Sequence, residues 1–308
     1  MDVLNELLVH FPVSGVETYL FIPPLVAFVV SFITSMGGVS GAFVLLPFQV
    51  SVLGYTAPSV SATNQVFNLV AIPSGVWRYL REKRMVWPLT WAVIVGTLPG
   101  VVIGAYLRIT ILSDSGDFRL FAGMVLLYIG VRLLLDVMKT RRRVSTGVDN
   151  RRQLPTHFEV SDTRFSFKHV EFQFAGELFR CSTLGIVALC LVVGIAGGIY
   201  GIGGGAIVAP FFVSVFRLPV HAVAGAALMG TFVTSFVGVA IYHILSLVYP
   251  AQSVAPDWYL GLLFGIGGVL GMYVGARCQK YVPARVVKTI LLVIVLSVAG
   301  KYIVGFFV

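Results

Sequence analysis

Hydrophobic residues run in long stretches along this chain, and the charged ones gather between them. Ten apolar segments stand out, near residues 20–36, 38–53, 58–77, 87–107, 119–137, 183–200, 203–216, 221–246, 258–276 and 288–307. A helix needs about 20 apolar residues to cross a hydrocarbon core of about 30 Å, and most segments reach that length. The second and seventh do not: at about 14–16 residues, rising 1.5 Å each, they extend roughly 21–24 Å. The pattern predicts an all-α polytopic membrane protein whose second and seventh segments are broken or short.

Composition agrees and narrows the class. Hydrophobic residues make up 57% of the chain and charged ones 11%, whereas a soluble domain carries about 25% charged residues. That excludes a soluble enzyme, a disordered protein and a nucleic-acid binder. The net charge of +9 therefore bears on orientation rather than on nucleic acid. Cys181, Cys190 and Cys278 lie in apolar contexts without ligand spacing, so they read as core thiols, and no metal or cofactor is expected.

None of the 13 acidic residues falls deep in an apolar segment. The arm 1–19 holds acids but no Lys or Arg and is assigned outside. The 78–84 connection, the 138–180 loop and the 277–288 connection are rich in Lys and Arg and are assigned to the cytoplasm, while 244–257 has neither and goes outside. Ten crossings with both termini outside satisfy these assignments.

The chain also matches itself. A shift of 163 places Gly38, Gly41, Pro47 and Phe48 on Gly201, Gly204, Pro210 and Phe211. A shift of 171 places Trp87, Gly96, Gly100 and Gly104 on Trp258, Gly267, Gly271 and Gly275. The basic 78–84 loop corresponds to the 244–257 loop, which has no Lys or Arg, and five segments per half is an odd number. The halves 20–137 and 181–308 are thus predicted to be inverted five-segment repeats, the plan of secondary transporters with a site near the midplane.

Short, glycine-interrupted segments at matching positions are the best sequence pointer to such a site. Here they centre on Gly37, Gly38, Ser40 and Gly41 in the first half and on Gly201, Gly203, Gly204 and Gly205 in the second. A helix that starts after such a break offers free N–H groups and its positive end to an anion. Glycines spaced every four residues, Gly96/Gly100/Gly104 and their mates, read instead as packing positions. In the third segment Ser61, Asn64, Gln65 and Asn68 share one helical face, so substrate contact and interhelical hydrogen bonding are both open to them. Thr63, Thr231, Thr234, Arg217 and His221 are secondary candidates. No intramembrane carboxylate is present for sodium or proton coupling, which favours an anion held by amides and hydroxyls.

The run Gly201-Ile202-Gly203-Gly204-Gly205-Ala206-Ile207-Val208-Ala209-Pro210 resembles the sulfite exporter TauE/SafE family. So do its degenerate first copy, followed by Ser61-Ala62-Thr63-Asn64, and the Trp-then-glycine pattern of the fourth and ninth segments. The resemblance implies a carrier of sulfite, sulfoacetate or other organosulfonates, working between a lipid bilayer and a small anionic substrate. Two departures bear on the site: Ser40 and Ala42 stand where the second copy has Gly203 and Gly205, and Ala226-Ala227 where the first has Thr63-Asn64. An anion channel, a permease for another small oxyanion, and a non-transporting subunit remain alternatives; a homodimer is one assembly the sequence allows. The Phe165/Phe167/Phe172/Phe174 alternation in the middle loop suggests a short hairpin or a membrane-surface segment.

Overall fold

The computed structural model describes residues 7–36, 40–83, 85–145, 160–166, 169–174, 177–216, 218, 220–278, 281–282 and 284–307. Helices dominate it. Strands β1 (Leu8–Phe11) and β2 (Val16–Tyr19) form an N-terminal hairpin, followed by α1 (Ile22–Met36), α2 (Ala42–Ser51), α3 (Ser59–Ala71), α4 (Pro73–Arg81), α5 (Trp87–Thr110) and α6 (Ser115–Ser145). A small antiparallel sheet, β3 (Val160–Phe165), β4 (His169–Phe174) and β5 (Glu177–Ser182), separates these from α7 (Thr183–Tyr200), α8 (Gly204–Ser214), α9 (Val220–Val248), α10 (Trp258–Cys278) and α11 (Ala284–Phe307).

Six of these helices, α5, α6, α7, α9, α10 and α11, are long and apolar enough to cross a membrane. The buried share of α5 is 61%, against 28% for α6 and α11, which puts α5 at the centre and the other two at the lipid boundary. Leu184, Leu247, Val293 and Val304 are exposed apolar side chains, and a hydrocarbon solvent leaves nothing to be gained by hiding them. The third predicted segment is two helices, because Pro73 has no N–H to continue α3.

The N-terminal hairpin caps one end of the bundle, called here the arm end. The Ser14 backbone N–H and hydroxyl both donate to Asp257 Oδ2, and Ser253 Oγ donates to Val13 O at 2.7 Å. The other Asp257 oxygen accepts Leu260 N–H in the first turn of α10, so this buried carboxylate is consumed as a helix cap. The opposite, loop end carries the three-stranded sheet. There Val170 and Phe172 are fully buried, and Phe172 stacks on Phe179 across the β4–β5 register. The aromatic alternation thus marks strands; Phe167 lies outside the described residues. Burial raises the Cys181 thiol above its ordinary range, in keeping with a core thiol.

Ten crossings do not form. The short helices α2 and α8, of 10 and 11 residues, reach only about 15–17 Å. α8 begins beside Thr97, near the middle of α5, and runs back toward the loop end, where the Phe216 ring lies 3.5 Å from a Cβ built on Gly185 near the start of α7. In the same way α2 returns toward the arm end, where Ser51 Oγ donates to Tyr302 OH near the end of α11. The pairs α1–α2 and α7–α8 are hairpins whose tips end inside the bundle. Each brings the chain back to the end it left, so the sides expected for the connections are unaffected.

The matched glycines set how the halves meet. A Cβ on Gly96, Gly100 or Gly104 of α5 would strike α7 at Val187, Leu191 and Ile195; one on Gly267, Gly271 or Gly275 of α10 would strike α1 at Pro24, Phe28 and Phe32. Each α7 partner is its α1 counterpart moved by the same shift of 163 that aligns the glycine runs. These glycines are packing positions, as expected. A Cβ on Gly267 would come within 1.9 Å of Pro24 O, and backbone cannot swing aside. Gly267→Leu is expected to lower stability by more than the roughly 1–3 kcal/mol typical of overpacking, read as lost monodisperse yield or a lowered unfolding midpoint in detergent.

Candidate functional site

Helix α3 places polar groups where the two hairpin tips meet. Every residue from Ser59 to Asn68 is buried, and Ser61, Thr63, Asn64, Gln65 and Asn68 are all fully enclosed. A side chain with this many donors and acceptors needs partners when it leaves water. Most of the stripe finds them on the tips. Asn64 Nδ2 donates to Ala42 O of the first hairpin at 3.0 Å and to Gly201 O of the second at 3.1 Å. Asn68 Nδ2 donates to Ile202 O and to Ser235 Oγ, while its Oδ1 accepts from Ser40 Oγ. Ser61 Oγ donates to Ile199 O at 2.8 Å. One helix turn after another, α3 stitches the first tip to the second.

Gln65 is different. It shares the face of Asn64 and Asn68 and is fully buried, yet neither its Oε1 nor its Nε2 has a hydrogen-bond partner. The amide presses on α9, where a Cβ on Gly238 would fall 1.8 Å from Oε1. A buried amide left unsatisfied costs about 1–3 kcal/mol, so this group is either compensated by its neighbours in another state or by something that enters.

The glycine run of the second tip has reasons of its own. Gly201 ends α7 with φ +80° and Gly203 precedes α8 with φ +73°, both in the left-handed region that side chains avoid. Gly201 N–H and Ile202 N–H turn back to Gly197 O, closing the helix end. Gly204 fits against Thr97 and Gly205 against Ala227 O. The turn and the close approach account for these four glycines, so the evidence for a binding role moves to the amides around them. Gly204 N–H donates to Thr234 Oγ1 at 3.2 Å, and Ala42 N–H to Ser40 Oγ at 3.4 Å, so both short helices start on a hydroxyl. Gly41 precedes α2, packed against Ser31 and Thr34.

The remaining candidates divide. Thr231 lies against Gly203 and Gly205, its hydroxyl bonded to Ala227 O, and belongs to the second tip with Thr234. Thr63 does not: it accepts Asp257 N–H and meets Tyr55 OH, securing the arm end. Gly37, Gly38 and Arg217 lie outside the described residues, and His221 is placed only as far as the first turn of α9. Three participants went unread. Gln49 is buried in α2 and donates to Asn64 Oδ1, its own Oε1 unpartnered; a lone amide in an apolar run was the available signal. Tyr200 OH donates to Phe43 O, a second tie between the tips. Arg108 is fully buried at the arm end of α5.

Long apolar helices packed around a buried, amide-lined contact between two half-depth hairpins make this a multi-pass membrane protein with a polar centre. Residues 24–302 match the family described as Sulfite exporter TauE/SafE, and the chain belongs to that family. It is a family of membrane transporters, not of enzymes. Over 273 residues, covering 84% of this chain and 90% of the relative, it is 24% identical to the "Probable membrane transporter protein YunE" of Bacillus subtilis (strain 168). No solved structure matches it.

Proposed function

We propose that this transporter exports small sulfur-containing oxyanions, sulfite or organosulfonates, across the bacterial inner membrane, holding them where α3 meets the two hairpin tips. The observation that carries the site is Gln65: a fully buried amide with no partner, in line with Asn64 and Asn68 on one helical face. Its Nε2 would donate to substrate oxygens; Ser40 and Gln49 reach the same stripe through Asn68 and Asn64. The family's printed description supports the substrate class. Two inverted repeats are the architecture proposed here, supported by the common shift in the glycine contacts and by α1 and α7 starting from opposite ends.

Energetics suit export. An interior-negative potential of 100 mV favours outward movement of a monoanion by about 2.3 kcal/mol, so a uniporter needs no coupling ion. Among the described residues the only buried carboxylate is the helix-capping Asp257. The cytoplasmic assignment of the loop end and the external assignment of both termini rest on charge placement. Proteoliposomes holding the purified protein are expected to show saturable uptake of labelled sulfite or sulfoacetate. Absence of flux for both, beside flux of an unrelated cation, would remove the proposal.

A further inference from the structure

Arg108 is a fully enclosed cation with no anion to answer it. It has 0% exposure, and its guanidinium carbon lies 3.7 Å from the centroid of the Phe118 ring. One amino nitrogen donates to Thr56 O at 2.9 Å and the other to Leu112 O, while Nε has no partner. The ionisable groups close enough to act on it are the phenols of Tyr55 and Tyr242. The nearby acids are committed elsewhere: Asp114 Oδ2 accepts Gly116 and Asp117 N–H, and Asp257 holds Ser14 and Leu260. Among the described residues no carboxylate forms an ion pair with Arg108.

Two carbonyls give a buried guanidinium only partial compensation, and a buried charge without a counter-charge is among the costliest things a fold can carry. In a membrane protein such a group marks a site by default. Positive charge also gathers at this end of the bundle. Phe118 is followed by Arg119, which with Lys301, Tyr302 and Ser51 lines an arm-end cavity of about 250 Å³.

We propose that Arg108 binds a small oxyanion at the arm end, a second station separate from the α3 stripe. The free Nε–H donates to an anion oxygen, and the anion supplies the charge the protein leaves out. Arg119 and Lys301 concentrate anions in their own cavity at the same end of the bundle. The station adds to the export reading by placing a second oxyanion at the external mouth, though its binding is measured without transport.

The test uses the full-length protein in detergent, with sodium sulfite titrated against sodium chloride at equal ionic strength and the unfolding midpoint as readout. In a Gln65→Met background, which removes the central amide, sulfite is expected to raise the midpoint still. Adding Arg108→Gln is expected to abolish that rise, and Arg108→Lys to raise its half-saturation about tenfold, since an ammonium replaces the guanidinium fork poorly. A rise that persists unchanged in both double variants, or no rise with Gln65→Met alone, overturns the proposal. Should Arg108→Gln fail to fold, an unchanged half-saturation in the Lys variant is sufficient to overturn it. An Arg108-dependent rise in a protein that transports no sulfite would leave this site standing and remove the export reading.

Discussion

Replacing Asn64 by Leu is expected to bring sulfite flux to background while the protein still folds. Asn64 ties both tips with a single amide nitrogen, through Ala42 O and Gly201 O, and it also accepts from Gln49 Nε2. Leu leaves Gly201 O and Gln49 Nε2 short of a partner, at about 1–3 kcal/mol each. That is a large part of a stability of about 5–15 kcal/mol but not all of it. Asn64→Asp is worse. It keeps the shape, loses both donors, and points a buried negative charge at two carbonyl oxygens. The expected order of unfolding midpoints is wild type, then Leu, then Asp, with neither variant moving substrate. Transport by Asn64→Leu within threefold of wild type would mean that the tips need no such tie.

Gln65→Met separates activity from stability in the opposite sense. Both amide atoms of Gln65 are buried without partners, so a side chain of similar shape and no polar atoms relieves a cost of about 1–3 kcal/mol. The unfolding midpoint is expected to rise by several degrees. If Gln65 holds substrate, flux drops at least tenfold, since one lost hydrogen bond to a charged group is worth about 1.5–3 kcal/mol. A variant that is more stable and fully active would make Gln65 a packing residue. A purely structural role predicts the two measurements moving together; a binding role predicts them moving apart.

How these residues were found bears on what a sequence can carry. Ser61, Asn64, Gln65 and Asn68 were legible because four polar residues at helical spacing in a bilayer segment must face protein, water or substrate. The packing glycines were legible because their spacing recurs in both halves. Thr63 shares the stripe's neighbourhood in sequence but faces the arm, since one residue along a helix turns the side chain by about 100°. Arg108 stands one residue past the fourth apolar segment, where a cation is ordinary in a membrane chain. Its burial is made by chain far away: the 52–58 connection reaches over it through Thr56, and the Phe118 ring closes beside it. The depth of the hairpins was similarly out of reach. Length told that α2 and α8 are short; only Phe216 beside Gly185 tells which way α8 turns.

The clasp between the tips is one-sided, and this matters for any cycle of opening and closing. The amides that join the hairpins all sit on α3, while the second half has Ala226-Ala227 where the first has Thr63-Asn64. If the halves move as bodies, α3 keeps Ala42 and Ser40 of its own tip. It must release Gly201 O, Ile202 O and Ile199 O of the other. Inward and outward opening would therefore start from unequal thresholds. In the inverted-repeat architecture proposed above, one helix would set which side yields first.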